Sequence, residues 1–200
     1  MLHLIPFLIA LSGVFTNPST SPIGKPRSID PAASTVLWTG SKVAGSHTGN
    51  IGIRSGSLTF DGDLLLAADV VMDMASITCT DITSPSSNAK LVSHLKGADF
   101  FAVEEHPKAT FRTRSVERMA GSAGPVTHRI TGDLTIKGIT HPSSFDAVLV
   151  SDASVIKASG TIRFDRTKYS IRYGSGSFVD GLGDRMISDE VVLKFDLVVR

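Results

Sequence analysis

The sequence predicts an all-β fold, antiparallel strands closed into a barrel or stacked as a sandwich, with one short helical insertion. Three observations lead there. From about residue 34 onward, apolar and polar residues alternate with a period of two. Gly, Asp and Pro punctuate the alternating stretches at short intervals. A single segment departs from this pattern and carries helical spacing instead. A barrel removes its own edges, and about eight strands leave room inside for one ligand, whereas a sandwich has a solid core. Alternation alone does not separate the two.

The N-terminus stands apart. No Asp, Glu, Lys or Arg precedes Lys25, and residues 2–14 are mostly Leu, Ile, Phe and Ala. A membrane-spanning helix needs about 20 apolar residues, so this run is short for one, yet it matches the apolar region of a secretory signal peptide. Ala10 with Ser12 fits a small-x-small cleavage site, and Val14 with Thr16 offers a second. Residues 1–16 are therefore expected to be a signal peptide, and the mature protein periplasmic or secreted. Pro18, Pro22, Pro26 and Pro31 mark residues 17–33 as an extended Pro/Ser-rich linker, leaving 34–200 as the folded domain.

Within that domain, residues 35–43, 51–54, 57–60 and 64–74 are the first strand candidates, with Gly45, Gly56 and the hairpin pair Asp61–Gly62 as turns. After Pro85, the polar run Ser86, Ser87 and Asn88 can cap a helix, and Leu91 and Leu95 lie four apart. A helix over residues 87–96 follows, stopped by Gly97. Strands resume at 110–116. Ile130, Gly132, Leu134 and Ile136 then share one parity; so do Ile156, Ala158, Gly160, Ile162 and Phe164; and so do Val191, Leu193, Phe195, Leu197 and Val199. A further strand covers 144–150, with turns at 121–125 and at His141–Pro142.

Composition removes several functions. Twenty Lys and Arg stand against 19 Asp and Glu, a formal net charge of +1, so no general electrostatic hold on nucleic acid or an anionic membrane is expected. Cys79 is the single Cys, which excludes an internal disulfide and any zinc site with two or more thiolates. The His residues show no H-E-x-x-H or H-x-H spacing, and no metal is expected. There is no G-x-S-x-G elbow, Cys79 has no activating motif, and the Gly-rich stretch at 174–177 lacks the context of a phosphate loop. No catalytic residue and no cofactor is assigned.

Seven short blocks recur in a recognisable order. They are Trp38–Thr39–Gly40 with Lys42; Gly45–Ser46–His47–Thr48–Gly49; Asp73–Met74–Ala75–Ser76–Ile77; Asn88, Leu91, His94 and Leu95, then Asp99–Phe100–Phe101; Pro107 to Phe111; Gly132 to Thr140; and Asp165 to Ile171 with Tyr173–Gly174. Together they make the chain similar to the YceI-like family of lipid- and polyisoprenoid-binding proteins. Ser170 stands where that family commonly has Gly, and 177–185 has no clear match. The resemblance implies a lipocalin-like closed antiparallel barrel of about eight strands. It also implies a long apolar cavity for an isoprenoid or other long-chain lipid, an exported protein, sometimes a homodimer, and no established catalysis.

On that basis the candidate cavity wall is Phe60, Leu91, Leu95, Phe100, Phe101, Phe111, Leu134, Ile136, Phe145, Ile162, Phe164 and Phe195. Burying a chain against such residues gains about 25 cal/mol per Å² of apolar surface, so few polar contacts are needed. The same residues would equally form a plain β core. His47, Asn88, His94, Arg166 and Arg172 are the head-group candidates, because guanidinium grips phosphate oxygens bidentately and a His can donate from a barrel mouth. Arg166 can instead pin a turn, and either His can bond a loop. Two rival readings remain: an enzyme using His47 and His94 as acid and base on a bound lipid or quinone, and a non-catalytic stress-response scaffold with a solid core.

Overall fold

The computed structural model describes residues 24–119, 127–152 and 155–200. The expected signal peptide lies outside them. Among the described residues, ten strands and one α-helix run in the order β1 (Lys25–Ser28), β2 (Thr35–Lys42), β3 (Gly45–Asn50), β4 (Gly52–Asp61), β5 (Leu64–Asp73), α1 (Pro85–Lys96), β6 (Lys108–Arg118), β7 (His128–Ile136), β8 (Ile139–Asp152), β9 (Val155–Asp165) and β10 (Ile187–Val199).

The pairings close this set into a barrel. Neighbours along the sheet run β1-β4-β5-β6-β7-β8-β9-β10-β2-β3. Only Ile51 separates β3 from β4, and its N–H donates to the Val36 carbonyl on β2 at 2.9 Å. One bent strand therefore leaves β2 and goes on to pair with β5. Counting that bent strand once gives eight staves, with β2 joining it to β10. Short β1 fills the remaining notch: it pairs with β4 and reaches β10 through an Ile29–Val199 bridge. A closed ring, not two stacked sheets, is what alternation had left open.

Several boundaries differ from the sequence reading, each for a physical reason. The folded unit begins before Ser34, because Lys25–Ser28 pairs with β4 and Ile29 is only 4% exposed. Pro26 is tolerated in β1 since this short strand pairs regularly on one side only. Gly56 is not a turn but lies within β4, where an added Cβ would meet Ile29 Cδ1 at 2.7 Å. Gly45 begins β3, a strand too poor in apolar residues to announce itself. His141–Pro142 is not a turn either; both sit in β8, opposite Leu134 and Asp133. Pro142 fits there because β8 pairs with β9 only from Ala147 onward.

The true β7–β8 turn is Lys137–Gly138, with φ of 52° and 72°. Two consecutive positive φ values make the type I′ geometry that matches strand twist, and Gly138 supplies one of them without strain. Helix α1 starts two residues earlier than expected. Ser84 caps it by accepting from the Ser87 N–H, and Pro85 takes the first helical position, where a missing N–H costs nothing. Gly97 ends it as expected.

The 3-10 turn Arg166–Tyr169 closes the gap between the start of β8 and the end of β9. His141 Nε2 lies 3.0 Å from the Lys168 carbonyl, and the buried Tyr169 ring packs edge-on against His141 and Phe164. Burial pushes the Tyr169 hydroxyl up to about 12, helped by the Asp165 carboxylate. Ser170 follows at φ 59°, a left-handed residue.

Candidate functional site: an apolar barrel interior

Inward parity turns the alternating residues of all the staves toward one another, and the result is a core without a polar layer. Two apolar cavities lie in it, of about 60 and 70 Å³. They lie where the resemblance implied a long apolar cavity, and they share Met72 and Leu193 in their walls. The first, an inner chamber, is walled by Phe111, Phe145, Ile162 and Phe195 from the predicted set, with Val36, Leu58, Leu65 and Leu197 among the others. Phe145 contacts Phe111 and Phe195 with ring centroids 5.2 and 5.6 Å apart. Gly132 makes room for this cluster, since an added Cβ would run into the Phe111 ring and the Arg112 carbonyl.

The second chamber lies at the end of the barrel that carries α1. Leu95, Phe100, Phe101, Ile136 and Phe164 from the predicted set line it, together with Trp38, Met74, Ile77 and Ile171. Trp38 is buried and donates its indole N–H to the Thr78 carbonyl at 2.9 Å, which pins the ring. Helix α1 and the turn after it form the roof. Asn88 ties the helix down by donating from Nδ2 to the carbonyls of Cys79 and Ile82. Lys137 Nζ reaches the Ala98 carbonyl from the β7–β8 turn.

The remaining wall candidates are placed elsewhere. Phe60 is buried near the opposite mouth, beside Arg27 and His128. Leu134 is fully buried core, and Leu91 packs half-buried on the outside of it; neither lines a chamber.

The head-group candidates separate sharply. Arg166 borders the helix-end chamber, yet its side chain is only 3% exposed. Its Nε donates to the Ser188 carbonyl, Nη1 to those of Ile171 and Tyr173, and Nη2 to the Ile187 carbonyl and Asp189. All five N–H donors are used, so none is left for a phosphate. Burial lowers its pKa, with Asp189 and Asp165 opposing. Arg166 is the clasp between the Arg166–Tyr173 segment and β10, as the turn-pinning alternative required.

His47 lies on β3 with Nδ1 2.8 Å from Asp81 Oδ2. The Thr48 N–H first, then His47, hold the Asp81 carboxyl well below the usual range. Cys79 donates its thiol to the other oxygen of the same carboxylate, so this trio does not place the thiol on the imidazole. His94 faces Asp99 at 3.3 Å, and its ring lies edge-on between Phe100 and Tyr173. Neither His lines a chamber. Arg172 stacks over the exposed Phe178 ring at 4.5 Å. Among the described residues, no three His, Cys, Asp or Glu side chains converge as a metal site, and no helix is long and apolar enough to cross a membrane.

Trp38, Met72, Ile171 and Leu193 are among the cavity residues that sequence reasoning missed. Trp38 stood in a recognised block and Leu193 on an inward parity, but neither had a signal for where the interior is open.

A model of the YceI-like domain matches residues 28–199. A UPF0312 protein of Staphylococcus aureus strain bovine RF122 / ET3-1 is 32% identical over 133 residues, 60% of this chain and 71% of that protein. Three solved structures share the architecture. Burkholderia cenocepacia BcnA has a TM-score of 0.66 at 22% identity, covering 86% of this chain and 99% of that one. A polyisoprenoid binding domain from Saccharophagus degradans, implicated in plant cell wall breakdown, scores 0.61 at 19% identity, covering 87% and 97%. The Campylobacter jejuni YCEI protein scores 0.53 at 18% identity, covering 96% and 93%. At those identities the structural likeness speaks for the fold; the match to the domain model, spanning nearly all of the described chain, shows that the protein belongs to the YceI-like family.

Proposed function

We propose that this protein is a non-catalytic carrier or sequestering protein for an amphiphilic lipid of the isoprenoid class, with the chain buried inside the barrel. The observation that carries the reading is the interior: a closed barrel whose two chambers have apolar walls, the polar atoms of bordering Arg166 being occupied by backbone carbonyls. Such a surface attracts hydrocarbon and offers no group for bond chemistry. The polyisoprenoid binding domain of Saccharophagus degradans has the same architecture and supports the ligand class. Residues 1–16 support export of the mature protein to the periplasm or medium. N-terminal sequencing of the protein from its native envelope tests that part; an intact Met1 in a cytosolic fraction would contradict it.

Trp38 provides the binding test. It is the single Trp of the chain and lines the helix-end chamber. Titration with geranylgeraniol is expected to give a saturable change in its fluorescence. A flat titration across isoprenoid alcohols would remove the carrier reading.

The scaffold reading has one observation in its favour. Cavities of about 60 and 70 Å³ are far below the roughly 300–1,000 Å³ of ordinary ligand sites. A barrel that binds nothing would leave the Trp38 signal unchanged, so the same titration separates the two readings.

A further inference from the structure

The two chambers share two wall residues, Met72 and Leu193. These arise from staves that are not neighbours in the ring. Going one way, the bent β3–β4 strand and β2 lie between β5 and β10; going the other way, β6 to β9 do. Both side chains are buried and border both chambers, so they lie in the interior rather than at a mouth. Their freedom differs. Leu193 is branched and flanked on the ladder by Trp38 and Ile162, both bulky. Met72 is unbranched, with a thioether that adapts readily to new packing, and one of its two ladder partners is the small Ala109.

We propose that Met72 is a movable stop and Leu193 its fixed counterpart, and that together they set the length of isoprenoid chain the barrel accepts. This rests on the carrier reading above and deepens it. A chain entering under α1 fills the helix-end chamber and then meets Met72. A short chain ends there. A longer one continues into the inner chamber, between Phe111, Phe145 and Phe195, only when Met72 turns aside toward Ala109. The length preference is therefore written in one side chain on β5 rather than in the aromatic walls.

The experiment is a chain-length series of free isoprenoid alcohols, from geraniol through farnesol and geranylgeraniol to a longer polyprenol, read by Trp38 fluorescence. Wild type, Met72→Ala and Met72→Phe are compared after each is shown to melt cooperatively. Leu193→Ala opens the same partition from the other wall and serves if Met72→Ala does not fold. In wild type, affinity is expected to climb roughly tenfold or more per added isoprene unit and then level off. Met72→Ala and Leu193→Ala move that plateau to longer chains, and Met72→Phe moves it to shorter ones. Length profiles that coincide in wild type and the opened variants overturn this proposal while leaving the carrier reading intact. Absence of binding at every length, in every variant, overturns both.

Discussion

Arg166 is the residue whose replacement separates a structural clasp from a ligand contact. In Arg166→Met the side chain keeps much of its length but loses every donor. The carbonyls of Ile171, Tyr173, Ile187 and Ser188 and the Asp189 carboxylate then lose their partner at once. Four of these five bonds are only part-buried, so water recovers some of the loss. Breaking a buried ion pair by removing one partner typically costs about 3–5 kcal/mol. A domain of this size loses about 2–4 °C of Tm per kcal/mol, so thermal unfolding followed by circular dichroism is expected to show a drop of roughly 6–20 °C. Arg166→Lys recovers only part of that, because three donors on one ammonium do not reach five positions. A variant that melts within about 2 °C of wild type and fails to bind a phosphorylated isoprenoid would refute the clasp and restore Arg166 as a head-group contact.

Three further outcomes follow from particular residues. Ser170 holds φ at 59°, a conformation costing a side-chain-bearing residue about 1–2 kcal/mol; Ser170→Gly relieves it and gives back part through a freer unfolded chain, so a net gain of up to about 1 kcal/mol is expected in urea melts. Gly132→Ala forces a Cβ against the Arg112 carbonyl and the Phe111 ring and should cost about 1–3 kcal/mol by the same measurement; an unchanged midpoint would contradict the packing of the aromatic cluster. His128 is 7% exposed, and burial, then Arg118, lowers its pKa below the ordinary 6.5. The unfolded chain therefore takes up a proton near pH 6.5 while the fold resists it, so its contribution is intact above that pH and is lost as pH falls from 6.5 through the depressed value. Tm measured from pH 8 to pH 5 should fall less steeply in His128→Gln than in wild type; parallel curves would remove His128 from the account.

Most of the barrel was legible because period two reports the inward face directly. Ile130, Leu134, Ile162, Phe164, Leu193 and Phe195 all point where their parity says. The losses have local causes. β3 carries Gly45, Ser46, His47, Thr48, Gly49 and Asn50, which have no apolar alternation to read, and it exists because β2 and the bend at Ile51 hold it. Lys137–Gly138 hid as a turn because Lys is not a residue expected at positive φ, while Pro142 imitated one from inside β8. The site was less legible than the fold. A charge in a sequence does not show whether four carbonyls and a carboxylate already use its donors, as they do at Arg166. An inward Met or Leu does not show that it borders two chambers at once, as Met72 and Leu193 do, because that depends on how the ring closes.

The central claim is that the barrel carries a hydrocarbon chain. It is tested most directly by purifying the protein from its native host, extracting it with organic solvent and weighing the extract by mass spectrometry. One isoprenoid species in near-stoichiometric amount to protein is the predicted result. A clean extract from native and heterologous hosts alike would contradict it and leave a barrel filled only by its own side chains.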